Sequence, residues 1–126
     1  MRKIKRLITF VLVVASLMTS SIAVMAETVE FDITVPGDIV SKKTSKRDTE
    51  QKFYVTGTSF SNNNTLMCVS VQIENPNIQS NTASIASSRV SANASYSTYA
   101  KGGVNYYMTT RTYQNTNLRV TGRYTP

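Results

Sequence analysis

The chain has no histidine and no tryptophan, and Cys68 is its single cysteine. Without histidine, a Ser-His-Asp triad, an imidazole base and a histidine-ligated zinc site are excluded. Cys68 has no histidine to activate it and no second cysteine for an intramolecular disulfide. It is therefore interpreted as a small hydrophobic side chain packed beneath a loop or neighbouring strand, and an intermolecular disulfide is the alternative. Glu30, Asp32 and Asp38 lack the spacing of a calcium loop, so a solvated strand face is the better interpretation. The sequence therefore predicts a protein that is not an enzyme and that uses no metal or cofactor.

Acids are absent from the last part of the chain, since all seven lie between Glu27 and Glu74. The bases beyond that point are Arg89, Lys101, Arg111, Arg119 and Arg123. This asymmetry predicts one surface that favours anions. The simpler alternative is that sparse charges only keep a polar protein soluble.

Long apolar runs are confined to the beginning of the chain. Four basic residues among the first six precede an apolar run over residues 7–18, and small or modest side chains follow up to Ala26. This is the pattern of a cleaved secretory signal. A retained membrane anchor is the alternative, but three hydroxyl residues from Thr19 and the lack of a basic stop-transfer cluster favour cleavage. We therefore expect a secreted protein, with a signal peptide helix in residues 1–26 and one domain in residues 27–126.

Cleavage changes the charge of the protein. Four of the 14 basic residues leave with the signal, so ten remain against seven acids and the net charge is +3 rather than +7. The remaining length, roughly 100 residues, suits a single domain with one core.

The mature sequence has the composition of a β protein. Leucine is scarce after residue 26, whereas Val, Thr, Ser, Asn and Tyr are common. Alternation with a period of two recurs, and no helical period is sustained over twelve residues. Six or seven short strands in this length predict an all-β fold, an antiparallel β-sandwich or a jelly-roll-like domain.

Alternation also predicts which side chains face the core. In residues 29–35 the inward set is Val29, Phe31, Ile33 and Val35. In residues 66–74 the same argument predicts that Met67, Val69, Val71 and Ile73 face inward, with Cys68 on the opposite side. We also expect a strand in residues 52–58, an exposed loop in residues 41–52 and a short edge strand near Ile85. Strands in residues 90–96, 104–112 and 118–124 complete the domain.

The last two strands predict the best candidate site. If they form a hairpin with their apolar sets inward, Tyr107, Arg111, Tyr113, Arg119 and Arg123 share one outer face. Like charges on neighbouring strands are unfavourable, so folding alone gives no reason for this arrangement. Arginine forks match phosphate and carboxylate, which predicts an anion-binding site. An ordinary solvated face is the simpler alternative.

Charge and location restrict the partner. An exported protein of net charge +3 is poorly placed to meet nucleic acid, which we do not expect as a partner. Carbohydrate is conceivable, although tryptophan, its commonest stacking platform, is absent. An anionic wall polymer or a lipid surface fits best, and the sequence does not separate the two.

The stretches 103–107 and 120–126, Gly-Val-Asn-Tyr-Tyr and Val-Thr-Gly-Arg-Tyr-Thr-Pro, resemble short exported proteins of Gram-positive bacteria. The resemblance covers the last quarter of the chain. It implies secretion and a β fold, and it implies no functional residue.

Together these observations predict a secreted, non-enzymatic module that binds an extracellular or envelope partner. The alternatives are a bacteriocin-like antagonist of neighbouring cells and a matrix-forming structural protein.

Overall fold

The computed structural model describes residues 27–126, except for the side chains of residues 41–43. The predicted signal helix in residues 1–26 lies outside the described residues. The strands are β1 (Val29–Val35), β2 (Val40–Ser45), β3 (Lys52–Phe60), β4 (Leu66–Gln72), β5 (Ala83–Ile85), β6 (Ser91–Ser95), β7 (Asn105–Thr112) and β8 (Leu118–Thr125). They form two four-stranded antiparallel sheets that pack as a sandwich. The predicted β-sandwich is therefore confirmed, with one strand more than expected.

The strands of the sandwich pair in an order that wraps the chain around its core. Sheet A has the order β1-β8-β3-β6, and sheet B has the order β2-β7-β4-β5. The first strand thus pairs with the last, the second with the seventh, the third with the sixth and the fourth with the fifth. This is the arrangement of a jelly roll. Within the described residues, β4 and β5 are the one pair of consecutive strands that shares a ladder.

Strand β1 follows its prediction. Its burial alternates perfectly, with Val29, Phe31, Ile33 and Val35 buried and the polar residues between them exposed. The strand ends at a turn in which Gly37 has a φ of 125°, a conformation that only glycine adopts readily. Alternation predicts this strand well because each of its faces has one chemical character.

Only the middle part of residues 41–52, residues 46–51, forms the loop that their charge predicts. Residues Val40–Ser45 are β2, the edge strand of sheet B, and Thr44 and Lys46 are fully buried. The Lys46 ammonium donates to Asp48 Oδ1 at 2.8 Å and to the carbonyl oxygen of Pro126 at 3.4 Å. It also lies 5.3 Å from the centre of the Tyr96 ring. These partners allow the charge to be buried, which sequence composition does not reveal.

The inward and outward faces of β4 are the reverse of the prediction. Leu66, Cys68, Ser70 and Gln72 face the core, and Met67, Val69, Val71 and Ile73 lie on the outer side. The reason is the chemistry of the core rather than the hydrophobicity of the strand, because the core contains tyrosine hydroxyls that require hydrogen-bond partners.

Ser70 and Gln72 supply those partners. The hydroxyl of Ser70 lies 2.8 Å from that of Tyr96 and 2.5 Å from that of Tyr124, and Gln72 Nε2 donates to the Tyr106 hydroxyl at 3.0 Å. The rings of the three tyrosines and Phe53 pack at centroid distances of 5.6 to 6.4 Å. A layer of hydrogen-bonded aromatic residues therefore joins the two sheets.

Candidate functional site

The structure separates the five residues predicted to form one anion site. Arg111 and Tyr107 lie on β7 in sheet B, whereas Arg119 and Arg123 lie on β8 in sheet A. Strand β7 pairs with β2 and β4, and β8 pairs with β1 and β3. The predicted hairpin is not formed, and the prediction of one shared arginine patch is wrong.

The connection between β7 and β8 explains the separation. It begins with a 3₁₀ turn, Tyr113–Asn115, in which Gln114 and Asn115 have φ values of 57° and 54°. The chain crosses here from one sheet to the other instead of reversing within a sheet. Both strands still turn their apolar sets toward the core, but they do so from opposite sides. Tyr113 is left 72 % exposed at this end of the sandwich.

The outer surface of sheet A, which we call face A, collects acids, bases and hydroxyls. Its central residues are Glu30, Asp32, Thr58, Arg119, Thr121 and Arg123. Arg119 holds Asp32 in a bidentate pair, with Nε to Oδ1 at 3.0 Å and Nη2 to Oδ2 at 2.8 Å. The hydrogen bonds and charge of Arg119 hold the pKa of the Asp32 carboxyl below its usual value. An acid from the first strand therefore neutralises Arg119, one of the late arginines.

A groove runs along face A beside this pair. Its lining includes Glu30, Asp32, Thr58, Thr121 and Arg123. Glu30 and Arg123 are direct cross-strand partners, yet their side chains form no ion pair or hydrogen bond with each other or with any other described residue. The groove thus offers a carboxylate, a guanidinium and hydroxyls to a ligand.

The outer surface of sheet B, which we call face B, has a different character. Its central residues are Met67, Val69, Val71, Ile73, Tyr107, Thr109 and Arg111. The register sets Arg111 opposite Met67 and Tyr107 opposite Val71. Val71 is only 5 % exposed, while Ile73 at the end of the row is 38 % exposed. Arg111 is exposed and forms no ion pair with the residues that the structure describes.

Sheet B is also the sheet without acids. None of its four strands contains Asp or Glu, whereas Arg111 lies in β7, and Lys42 and Lys43 lie in β2. Between the pairs Val40–Met108 and Thr44–Tyr106, three residues of β2 stand opposite Tyr107 alone. This bulge places the backbone of both lysines beside the strand that carries Arg111.

Cys68 lies in the core rather than at a surface. Its side chain is fully buried, and burial raises the pKa of its thiol to about 12. The thiolate required for disulfide exchange is therefore strongly disfavoured. This location supports the interpretation of Cys68 as a small packed hydrophobic side chain rather than an intermolecular disulfide.

The chain matches no family model, no curated protein and no solved structure. In residues 27–126 no helix has the length and hydropathy to cross a bilayer. The same residues contain no group of three or more potential metal ligands of the His, Cys, Asp and Glu types.

Proposed function

We propose that this protein is an exported, non-enzymatic module that binds the phosphate-bearing anions of a cell envelope through face B. The observation that carries the proposal is the absence of acids from all four strands of sheet B, combined with the bases Lys42, Lys43 and Arg111. An anion that approaches this sheet meets no carboxylate on its strands. The unpaired Arg111 offers the fork geometry that matches phosphate.

The apolar side chains of face B support the same proposal. Met67, Val69 and Tyr107 are partly exposed around Arg111 and Thr109, and Ile73 extends the row. A surface that combines basic and apolar groups can contact both a phosphate and the less polar part of an envelope molecule. The phosphate could belong to a lipid head group or to a wall polymer, and the experiment below separates these two sources.

The test is a sedimentation assay of purified protein with four targets. These are vesicles of phosphatidylglycerol and phosphatidylcholine, vesicles of phosphatidylcholine alone, and wall sacculi before and after removal of their anionic polymer. We expect binding to at least one anionic target, no binding to its uncharged counterpart, and weaker binding as salt rises, because exposed charges are screened within about 8 Å at physiological ionic strength.

Arg111→Gln and Arg123→Gln provide a matched pair, because both remove an exposed guanidinium and they lie on opposite faces. Each basic residue near an anionic lipid surface contributes about 1 kcal/mol, so Arg111→Gln should weaken binding about fivefold. Arg123→Gln should bind the anionic target like the wild type. Equal loss in both variants, or binding that is indifferent to charge, contradicts the proposal.

A further inference from the structure

We infer that the groove on face A is a second binding site, and that it takes an uncharged polyhydroxylated ligand, a glycan. The groove lies on the opposite side of the sandwich from face B. The inference therefore does not depend on the proposed function. It rests on the polar groups that line the groove and on the balance of their charges.

Two of the lining groups are free to contact a ligand. Glu30 and Arg123 are directly opposite in the β1–β8 register and carry opposite charges. Such a pair is normally favourable, but these side chains form no hydrogen bond or ion pair with any described residue. The carboxylate therefore keeps all its acceptor sites, and the guanidinium keeps its five N–H donors.

Asp32 is oriented rather than free. Arg119 contacts each of its carboxylate oxygens once, which sets the plane of the carboxylate. A carboxylate has about four acceptor sites, so this pair leaves about two of them for a ligand. Asp32 can thus accept from a ligand hydroxyl without losing its partner.

A bulge supplies the hydroxyls of the groove. The register of β3 against β8 shifts between Gly57 and Ser59, so Thr58 and Ser59 both lie beside Thr121. The Thr121 hydroxyl is 3.0 Å from that of Thr58 and 2.5 Å from that of Ser59. Hydroxyls both donate and accept, and a bulge commonly re-aims side chains at a binding site.

Two closely packed glycines lie in the sheet beneath the groove. Gly57 and Gly122 are cross-strand partners on the core side of β3 and β8. A Cβ on Gly122 would overlap the carbonyl oxygen of Thr56 and crowd the Phe31 ring, and one on Gly57 would overlap the Phe60 ring. The glycines thus let both rings pack directly against the core side of the sheet, beneath the groove.

Charge balance selects the class of ligand. The carboxylates of Glu30 and Asp32 are matched by the guanidinium groups of Arg119 and Arg123, so the region has no net charge. An anion would meet two carboxylates and a cation would meet two guanidinium groups. A ligand with many hydroxyls can donate to the carboxylates and accept from Arg123 at the same time.

An exposed aromatic ring lies on the same face. Tyr54 is 40 % exposed and precedes Thr56, the cross-strand partner of Arg123, by two residues on β3. Its hydroxyl donates to Glu50, which helps to fix the side chain. The ring therefore offers an apolar surface for the C–H groups of a sugar next to the polar groove.

The experiment is an NMR titration of isotope-labelled protein with cellotetraose, chitotetraose and maltotetraose. We expect at least one of the three to bind at millimolar concentration or below and to shift amide signals in residues 30–32, 58–59 and 121–123. Glu30→Gln and Arg123→Gln should each weaken that binding about tenfold, because each removes a charge-assisted hydrogen bond. Circular dichroism and thermal melting establish that these exposed variants fold.

Arg111→Gln is the matched control and should bind the glycan like the wild type. The inference is overturned if none of the three glycans binds, if the shifted signals lie outside the groove, or if Glu30→Gln and Arg123→Gln both retain wild-type affinity. Anion binding to face B is measured separately, so either proposal can fail while the other stands.

Discussion

The two outer faces of the sandwich belong to one domain and differ in how their charges are distributed. On face A, Asp32 and Arg119 form a bidentate pair, and Glu30 lies opposite Arg123. On face B, Arg111 has no acidic partner among the described residues, and the neighbouring side chains are mostly apolar. Face A is balanced in charge and rich in hydroxyls, whereas face B combines a free cation with exposed apolar groups.

The difference shows what strand pairing does to a charge gradient along a chain. All seven acids lie between Glu27 and Glu74, and only bases follow them. Because the first strand pairs with the last, β1 brings Glu30 and Asp32 to the arginines of β8. The second strand instead brings Lys42 and Lys43 to β7. The late bases are therefore balanced by acids in sheet A and joined by further bases in sheet B.

The largest expected effect is on anion binding, when all three bases on the strands of sheet B are removed. The triple variant Lys42→Gln, Lys43→Gln and Arg111→Gln should lose about 3 kcal/mol of binding to anionic vesicles, on the order of a hundredfold. Vesicle sedimentation at low salt measures the loss. A triple variant of β3 and β8, Lys52→Gln with Arg119→Gln and Arg123→Gln, serves as the control on sheet A. Equal losses would show that net charge, rather than face B, determines binding.

A variant in the hydrogen-bonded layer between the sheets should lower the stability of the whole domain. Ser70→Ala leaves the hydroxyls of Tyr96 and Tyr124 with one partner fewer, and a buried unsatisfied polar group costs about 1–3 kcal/mol. We expect a loss of this size in the free energy of unfolding, measured with urea. Ser91→Ala removes an exposed hydroxyl that contacts Thr56, and it should change stability by no more than about 0.5 kcal/mol. A Ser70→Ala protein as stable as the wild type would show that the hydroxyl layer does not hold the sheets.

Substitution of Cys68 tests whether this side chain packs in the core or is available at the surface. Cys68→Ser buries a hydroxyl in an apolar site, so it should be less stable than Cys68→Ala by about 1–3 kcal/mol. Urea denaturation of the two variants measures the difference. A disulfide-linked dimer in stoichiometric amount on a non-reducing gel would contradict the buried position.

The smallest effect concerns the ion pair on face A. Arg119 lowers the pKa of Asp32 from its ordinary value of 3.8, so the pair stabilises the folded protein above that pH. This contribution should be lost as the pH falls through the lowered pKa of Asp32. The stability difference between wild type and Asp32→Asn should therefore shrink below pH 3.8. A difference that grows on acidification would contradict the pairing. The effect is small because both side chains are exposed.

The alternation of polar and apolar residues correctly predicted which side chains are buried in a strand with one apolar and one polar face. It was wrong where a polar side chain is buried because it bonds to a residue of another part of the chain. Strand β1 follows the pattern because its polar and apolar residues alternate strictly. Strand β4 does not, because Ser70 and Gln72 are buried against tyrosines of other strands. Lys46 is buried for the same kind of reason, since its partners include Asp48 and the last residue of the chain. Except for the Lys46–Asp48 pair, whose residues are two apart, these contacts join distant parts of the chain and leave no local signal in the sequence.

The structure distributes the predicted site residues over two faces because the strands that pair are far apart in the sequence. Alternation placed Glu30 and Asp32 on one strand face, but only the β1–β8 register brings them to Arg119 and Arg123. One signal was present in the sequence: two acids two residues apart near one end, and two arginines four residues apart near the other. Antiparallel pairing of the terminal strands makes these charges complementary. The prediction instead assumed that neighbouring strands in sequence pair, a common arrangement that a jelly roll largely avoids.

The most direct test of two independent faces is a single NMR experiment on labelled protein in the presence of phosphatidylglycerol bicelles and, in a second sample, the glycan that binds. We expect the bicelles to broaden or shift amide signals of β4 and β7 while those of β1 and β8 stay unchanged, and we expect the glycan to produce the opposite pattern. Signals of β1 and β8 that respond to the anionic lipid as strongly as those of β7 would contradict the account.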